Sequence, residues 1–305
     1  MVQTTASVIY VNSTGGRGTG TRQSPFKTLT QALGRAGQGT TIQLEAGTYS
    51  SGESFPLTIG SGVSVVATGG TVTLRGGGLL ATKEFGEQSV ALRLEDGAQL
   101  RGVTVSNPQG IGVWLEQGAA LVTRCRIINC GRDGIFVTGD ALPLLLANEI
   151  SGNQASGLFM VRRSKGEVRQ NRFVGTGYGV AISDQSAPLL IDNEMVDNNA
   201  GVVLSRSAKP VLRQNRIRRN QTTGLWVQDT AQPDVGQSQD LGGNRFEDNG
   251  QWDVRNDSRQ ALTTAGNQIN PNRAKGTLRY VASEIPDPVA VPSLLLWRIF
   301  ALAEN

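Results

Sequence analysis

The chain has 305 residues, enough for one elongated domain or two ordinary ones, with 18% charged and 5% aromatic residues and 39 glycines. It carries 29 basic and 25 acidic side chains and no histidine. Ser-His-Asp and Cys-His machinery and every histidine metal site are therefore excluded, and any chemistry must use carboxylates, Arg, Lys or Tyr. The net charge of +4 is compatible with an acidic partner without requiring one.

Met1 to Ser7 is polar and lacks the positive start and apolar run of a signal peptide, although the same residues could follow removal of such a segment. Gly15 to Gly20 is glycine-rich but has neither the Lys-Ser/Thr ending nor the helix of a phosphate loop, so it reads as a flexible turn. Ser24 to Leu33 reads as a helix, with Ser24 as N-cap, Pro25 in the first turn and Phe26, Leu29 and Leu33 on one face. Thr40 to Leu80 is rich in strand formers and reads as irregular early turns.

From there the pattern repeats. Gly112, Gly134, Gly157, Gly179, Gly201 and Gly224 recur at intervals of 22 or 23 residues, each followed by an alternating apolar strand. Val113/Leu115, Ile135/Val137, Leu158/Met160, Val180/Ile182, Val202/Leu204 and Leu225/Val227 form a uniformly aliphatic or Met set that would face inward. Corners marked by Pro143, Pro188, Pro210 and Pro233 lead to a second strand and then to a recurrent Asn at 148, 171, 193, 215 and 244. A second column five residues later holds Asn153, Thr176, Asn198, Asn220 and Asn249, and Cys125 and Cys130 take both places one turn earlier. Three short strands per turn predict an all-β, right-handed, single-stranded parallel β-helix with turns of about 22 residues, a capping helix at its start and an irregular C-terminal segment. The divisions are 1–87 for the cap and early turns, 88–257 for the regular repeats and 258–305 for the tail, all in one structural domain.

Stacking predicts hydrogen-bonded amide columns at these asparagines, whose tolerance of the left-handed conformation also suits sharp corners. It places the two cysteines as small buried members of those columns rather than as a disulfide. Charge tests the register independently. Arg126, Glu149, Arg172, Glu194, Arg216 and Arg245 form one nearly alternating run, and Arg162, Asp184, Arg206 and Asp229 form another.

Arg216, Arg218 and Arg219, the densest basic group, are interleaved with a strand and read as a solvated face, so no nucleic-acid partner is expected. Leu294 to Ala303 is too short for a membrane span and contains Arg298; it reads as a cap for the last turn or as a segment lying along the outside of the coil.

Ile9-Tyr10-Val11-Asn12, Ser24 to Leu29 and Gly39 to Tyr49 resemble the opening of a bacterial domain family of unknown function. That family heads right-handed β-helices of the pectate-lyase-like superfamily. The resemblance covers roughly residues 8–80 by motif and 88–255 by repeat. It implies the fold, export to the periplasm, cell surface or medium, and a polysaccharide partner; a cytoplasmic location stays open.

Trp114, Phe136, Phe159, Ala181, Val203 and Trp226 would form an outward apolar stripe. Either Leu294–Leu302 or a second copy of the chain covers it, or sugar rings stack on it, bordered by Arg162, Asp184, Arg206 and Asp229. For catalysis, Asp192 and Glu194 alternate onto one strand face near Asp197, and Asp184–Arg206–Asp229 could hold Ca²⁺ and supply a base. The paired-Asp, Gly-His-Gly and Arg-Ile-Lys motifs of polygalacturonases and the Asp-Pro-His segment of alginate epimerases are missing. The preferred expectation is non-catalytic polysaccharide recognition or envelope organisation, with no cofactor. The alternatives are a His-free polysaccharide lyase or glycoside hydrolase, for which Ca²⁺ is an option, and a structural self-association module.

Overall fold

The computed structural model describes residues 7–16 and 18–284. Within them the chain winds as a right-handed parallel β-helix of about ten turns. Two nine-stranded sheets and one eleven-stranded sheet run the length of the coil. One turn shows the plan: Leu189–Ile191 lies in the first sheet, Glu194–Val196 in the second and Ala200–Leu204 in the third. Each strand pairs in parallel with its equivalent one turn on, so Val180 lies beside Val202 and Val202 beside Leu225. The inward residues of all three sheets form one continuous core.

The repeat glycines are required by close approach rather than by a left-handed backbone. A Cβ on Gly201 would lie 2.6 Å from the Gly224 carbonyl and 2.9 Å from the Asn220 amide nitrogen. Ile217 Cγ2 lies nearer still, at 2.5 Å, so core side chain, backbone and the second asparagine column all close on that glycine. Asn193 Nδ2 donates to Asn215 Oδ1 (3.0 Å) and to the Val168 carbonyl (2.7 Å). Its Oδ1 accepts from the Asn171 backbone N–H (3.0 Å) and from Asn171 Nδ2 (3.1 Å). Every hydrogen-bonding site of the amide is thus used inside the coil, which is why this residue type recurs there.

The left-handed conformation falls elsewhere than expected. It is adopted by the residue before each column position, as in Ala147, Gln170, Asp192 and Gln214, while the asparagines that follow have negative φ. Cys125 and Cys130 are free and buried, and their backbone N–H groups donate to Asn148 and Asn153 in the next turn. The charge columns are in register. Arg126, Glu149, Arg172, Glu194 and Arg216 lie side by side, and the like-charged step from Arg216 to Arg245 is relieved by Glu247, 3.0 Å from Arg216.

The start departs from the sequence reading in the placement of its helix. The helix is Leu29–Leu33, starting four residues later than expected from Ser24 and capped by Thr28 in a capping box with Gln31. Its first free N–H groups, on Leu29 and Thr30, donate to the Glu53 carboxylate at 2.7 and 2.8 Å. Pro25 is outside the helix, and Phe26 instead bridges to Val11. After Asp257 the coil continues irregularly, with Leu262–Thr264 paired to Leu278–Tyr280 and Ala274–Lys275 closing the third sheet. The apolar segment Leu294–Leu302 lies outside the described residues. Among the described residues no helix is long and apolar enough to cross a membrane.

Candidate functional site

The apolar stripe lies on the outer face of the third sheet, in the expected register from Trp114 through Phe136, Phe159, Ala181 and Val203 to Trp226. Its first half, however, is not outside. Trp114 is 0% exposed and Phe136 1%, beneath a hairpin formed by Gly78–Thr82 and the start of the long strand Gly86–Leu94. Phe85 at the hairpin tip meets Trp114 and Phe136 edge-on, at ring centroid distances of 5.8 and 5.2 Å. Leu80, Val90, Ile111 and Val161 complete a second apolar cluster outside the coil. The cover is the chain's own hairpin, so the expected roles of Trp114 and Phe136 as a sugar platform or as a self-association surface give way to packing. Arg162 secures the tip, its Nη2 2.7 Å from Glu84 and its guanidinium over the Phe85 ring.

Beyond the hairpin the stripe opens into a groove of about 400 Å³. Half-buried Phe159 and Trp226 stand at its two ends, and the small residues Ala181 and Val203 lower the floor between them. Three strand steps separate the aromatic residues, roughly 14 Å. One face of Trp226 is taken by the Arg255 guanidinium, 4.6 Å from the ring centroid, and its indole N–H donates to Asp257 at 2.9 Å. Tyr178 lies on one rim, and Ser205 and Gln228 on the other. Ser205 is tied to Ser183 by a hydroxyl pair at 2.9 Å.

At the hairpin end sits Asp133, only 1% exposed. Its Oδ1 accepts from the Ser156 backbone N–H at 3.1 Å. Its buried Oδ2 has no hydrogen-bond partner among the described residues, and Arg132 Nε approaches to 3.3 Å without hydrogen-bond geometry. Burial pushes the Asp133 carboxyl above the ordinary carboxylate range, while Arg132 and Ser156 pull the other way. Arg132 also donates to Gln88 of the hairpin, linking the cover to the groove.

The remaining site candidates lie away from this groove. Arg162, Asp184, Arg206 and Asp229 all occupy left-handed corners, where the Asp184 and Asp229 carboxylates accept the backbone N–H groups of Arg162 (3.0 Å) and Arg206 (2.8 Å). The Arg206 guanidinium pairs with Asp184, so the position considered for Ca²⁺ already has a cation. No cluster of three or more acidic, His or Cys side chains suited to a metal occurs among the described residues. Asp192 is a corner residue rather than part of a strand, so it does not share a strand face with Glu194 as expected. Glu194 belongs to the second sheet, held between Arg172 (2.8 Å) and Arg218 (2.6 Å). Arg216 and Arg219 are likewise paired, with Glu247 and Asp197.

The sequence profile of a family described as "Protein of unknown function (DUF1565)" matches residues 13–274. The chain belongs to this family. No curated protein matches a DUF1565 chain of this sequence significantly. Among solved structures, this DUF1565 protein is similar to pectate lyase Pel9A, with a TM-score of 0.62 at 15% identity, covering 95% of this chain and 82% of that one. A rhamnogalacturonan lyase (TM-score 0.49, 12% identity, 91% and 86% covered) follows. So does a polygalacturonase from Erwinia carotovora ssp. carotovora (TM-score 0.47, 13% identity, 92% and 97% covered). At 15% identity the likeness to pectate lyase Pel9A is one of fold.

Proposed function

We propose that this DUF1565 protein recognises carbohydrate in the groove on its third sheet without cleaving it, as an exported protein acting on polysaccharide at the cell envelope. The observation that carries this reading is the floor profile: Phe159 and Trp226 flank the small residues Ala181 and Val203. Such a depression offers flat apolar faces to the C–H side of a sugar ring and polar rims to its hydroxyls. The pectate lyase named above, which acts on polysaccharide, shares the scaffold.

The non-catalytic form of the reading is supported by what the acids already do. Asp184, Glu194 and Arg206 are engaged in ion pairs, and the groove itself is lined by a single carboxylate, Asp133. Two-acid glycoside hydrolysis needs a second carboxyl group within about 5–10 Å on the opposite side of the bond.

Titration of a panel of soluble glycans into the protein, with Trp226→Ala and Phe159→Ala beside it, tests the reading. Saturable binding weakened at least about tenfold by either change supports it. Release of new reducing or unsaturated ends by the wild-type protein would replace it with the enzymatic alternative.

A further inference from the structure

We infer that the groove selects an uncharged sugar ring, with the buried Asp133 carboxyl as its hydrogen-bond partner at the hairpin end, and discriminates against uronates. This rests on the carbohydrate reading of the groove and adds a substrate class to it.

The first argument is the distribution of charge. The cations at the groove are already engaged: Arg132 with Asp133 and Gln88, and Arg255, which covers Trp226, with Asp257. An incoming carboxylate would lose its water without gaining a free cation, and at the hairpin end it would meet another acid. The rims otherwise present neutral groups, the Tyr178 phenol, the Ser205 hydroxyl and the Gln228 amide, which suit sugar hydroxyls and supply nothing to neutralise an anion.

The second argument is Asp133 itself. A buried oxygen without a hydrogen-bond partner is rare in a folded protein, and this one belongs to a residue lining the groove. Its sister oxygen is fixed by Ser156, so the carboxyl group is held in place before any ligand arrives. A sugar hydroxyl is both donor and acceptor, and can satisfy that oxygen in either protonation state of the acid. An anionic ligand oxygen can do so only when the acid is protonated. Trp226, four strand steps or roughly 19 Å along the groove, supplies the stacking surface at the other end, so the two contacts are made by different rings of one oligosaccharide.

The experiment is calorimetric titration of the intact protein with neutral cello-, manno-, galacto- and xylo-oligosaccharides, and with oligogalacturonate and oligoalginate. Asp133→Ala and Asp133→Asn are measured alongside. The Asn variant keeps an oxygen to accept from Ser156 and serves as the folding control.

At least one neutral series is expected to bind about tenfold or more tightly than either uronate, with little dependence on salt. Asp133→Ala should weaken that binding about tenfold, and Asp133→Asn by less. If an oligouronate binds more tightly than every neutral glycan, the charge selectivity is overturned while the carbohydrate reading stands. If neutral binding survives Asp133→Ala unchanged but is lost in Trp226→Ala, the assignment of Asp133 is overturned. If no glycan binds, the reading of the groove fails and this inference falls with it.

Discussion

Glu84 and Arg162 join the tip of an inserted hairpin to a corner of the coil, carboxylate oxygen to guanidinium nitrogen at 2.7 Å. This contact sits at the edge of the Phe85–Trp114–Phe136 cluster and divides the stripe into a covered half and an open half. The cover is mainly apolar, so Phe85→Ala should lower stability by about 2 kcal/mol and shift Trp114 fluorescence toward that of a hydrated indole. Glu84→Gln removes only a half-exposed pair and should cost about 1 kcal/mol or less. Chemical denaturation followed by tryptophan emission distinguishes the two.

The amide column makes a stronger demand. Asn193→Ala would leave the Asn171 donors, the Val168 carbonyl and one face of Asn215 without their partner inside the coil. A loss of about 3 kcal/mol is expected, seen as a lower urea midpoint. An equal truncation at an exposed corner such as Gln185 should change it by less than about 0.5 kcal/mol.

Burial raises both cysteine thiols to about 11. At pH 8 in native buffer neither Cys125 nor Cys130 should react measurably with a thiol-specific maleimide, and both should be labelled once the coil is unfolded. Mass spectrometry counts the adducts, and rapid native labelling of either cysteine would contradict their place in the columns.

Asp133 governs one arm of the pH dependence. Burial raises its carboxyl above the ordinary 3.8, so between 3.8 and the folded value the native state binds more protons than the unfolded state. Stability from this group therefore falls as pH rises through that window, and its full cost is present above it. Asp133→Asn should be more stable than the wild type at pH 7 and should flatten that slope. Thermal unfolding from pH 3 to pH 8 measures both, and a variant less stable at neutral pH would show that the ionised form is held favourably.

What could be read from the amino acids was whatever each turn repeats. Stacked turns force equivalent positions to meet the same neighbours, so Gly201 beside Gly224, Asn193 above Asn215 and Arg172 beside Glu194 each left a periodic mark. The hairpin at Gly78–Leu94 occurs once, and nothing in the period signals that Phe85 lies over Trp114. Asp133 and Tyr178 share the position before the repeat glycine, where Ile111, Ser156, Ala200 and Thr223 stand in other turns. These residues stack in register like the others, but they share no common chemistry, so the column leaves no periodic mark. The helix is capped at Thr28 rather than Ser24 because only Thr28 has a glutamine three residues on to complete a capping box, and Glu53 from a later turn then takes the first free N–H groups.

The ladder from Asn215 to Asn244 is unbroken although 29 residues separate them instead of the usual 22 or 23, and it runs on to Asn267. The extra chain is extruded around Gly236–Leu241, where Gln237 and Asp240 close a small loop. The coil thus tolerates added length at a corner while its amide spine keeps step. Foreign peptides grafted at that corner would be displayed on a rigid rod whose winding they leave unaltered.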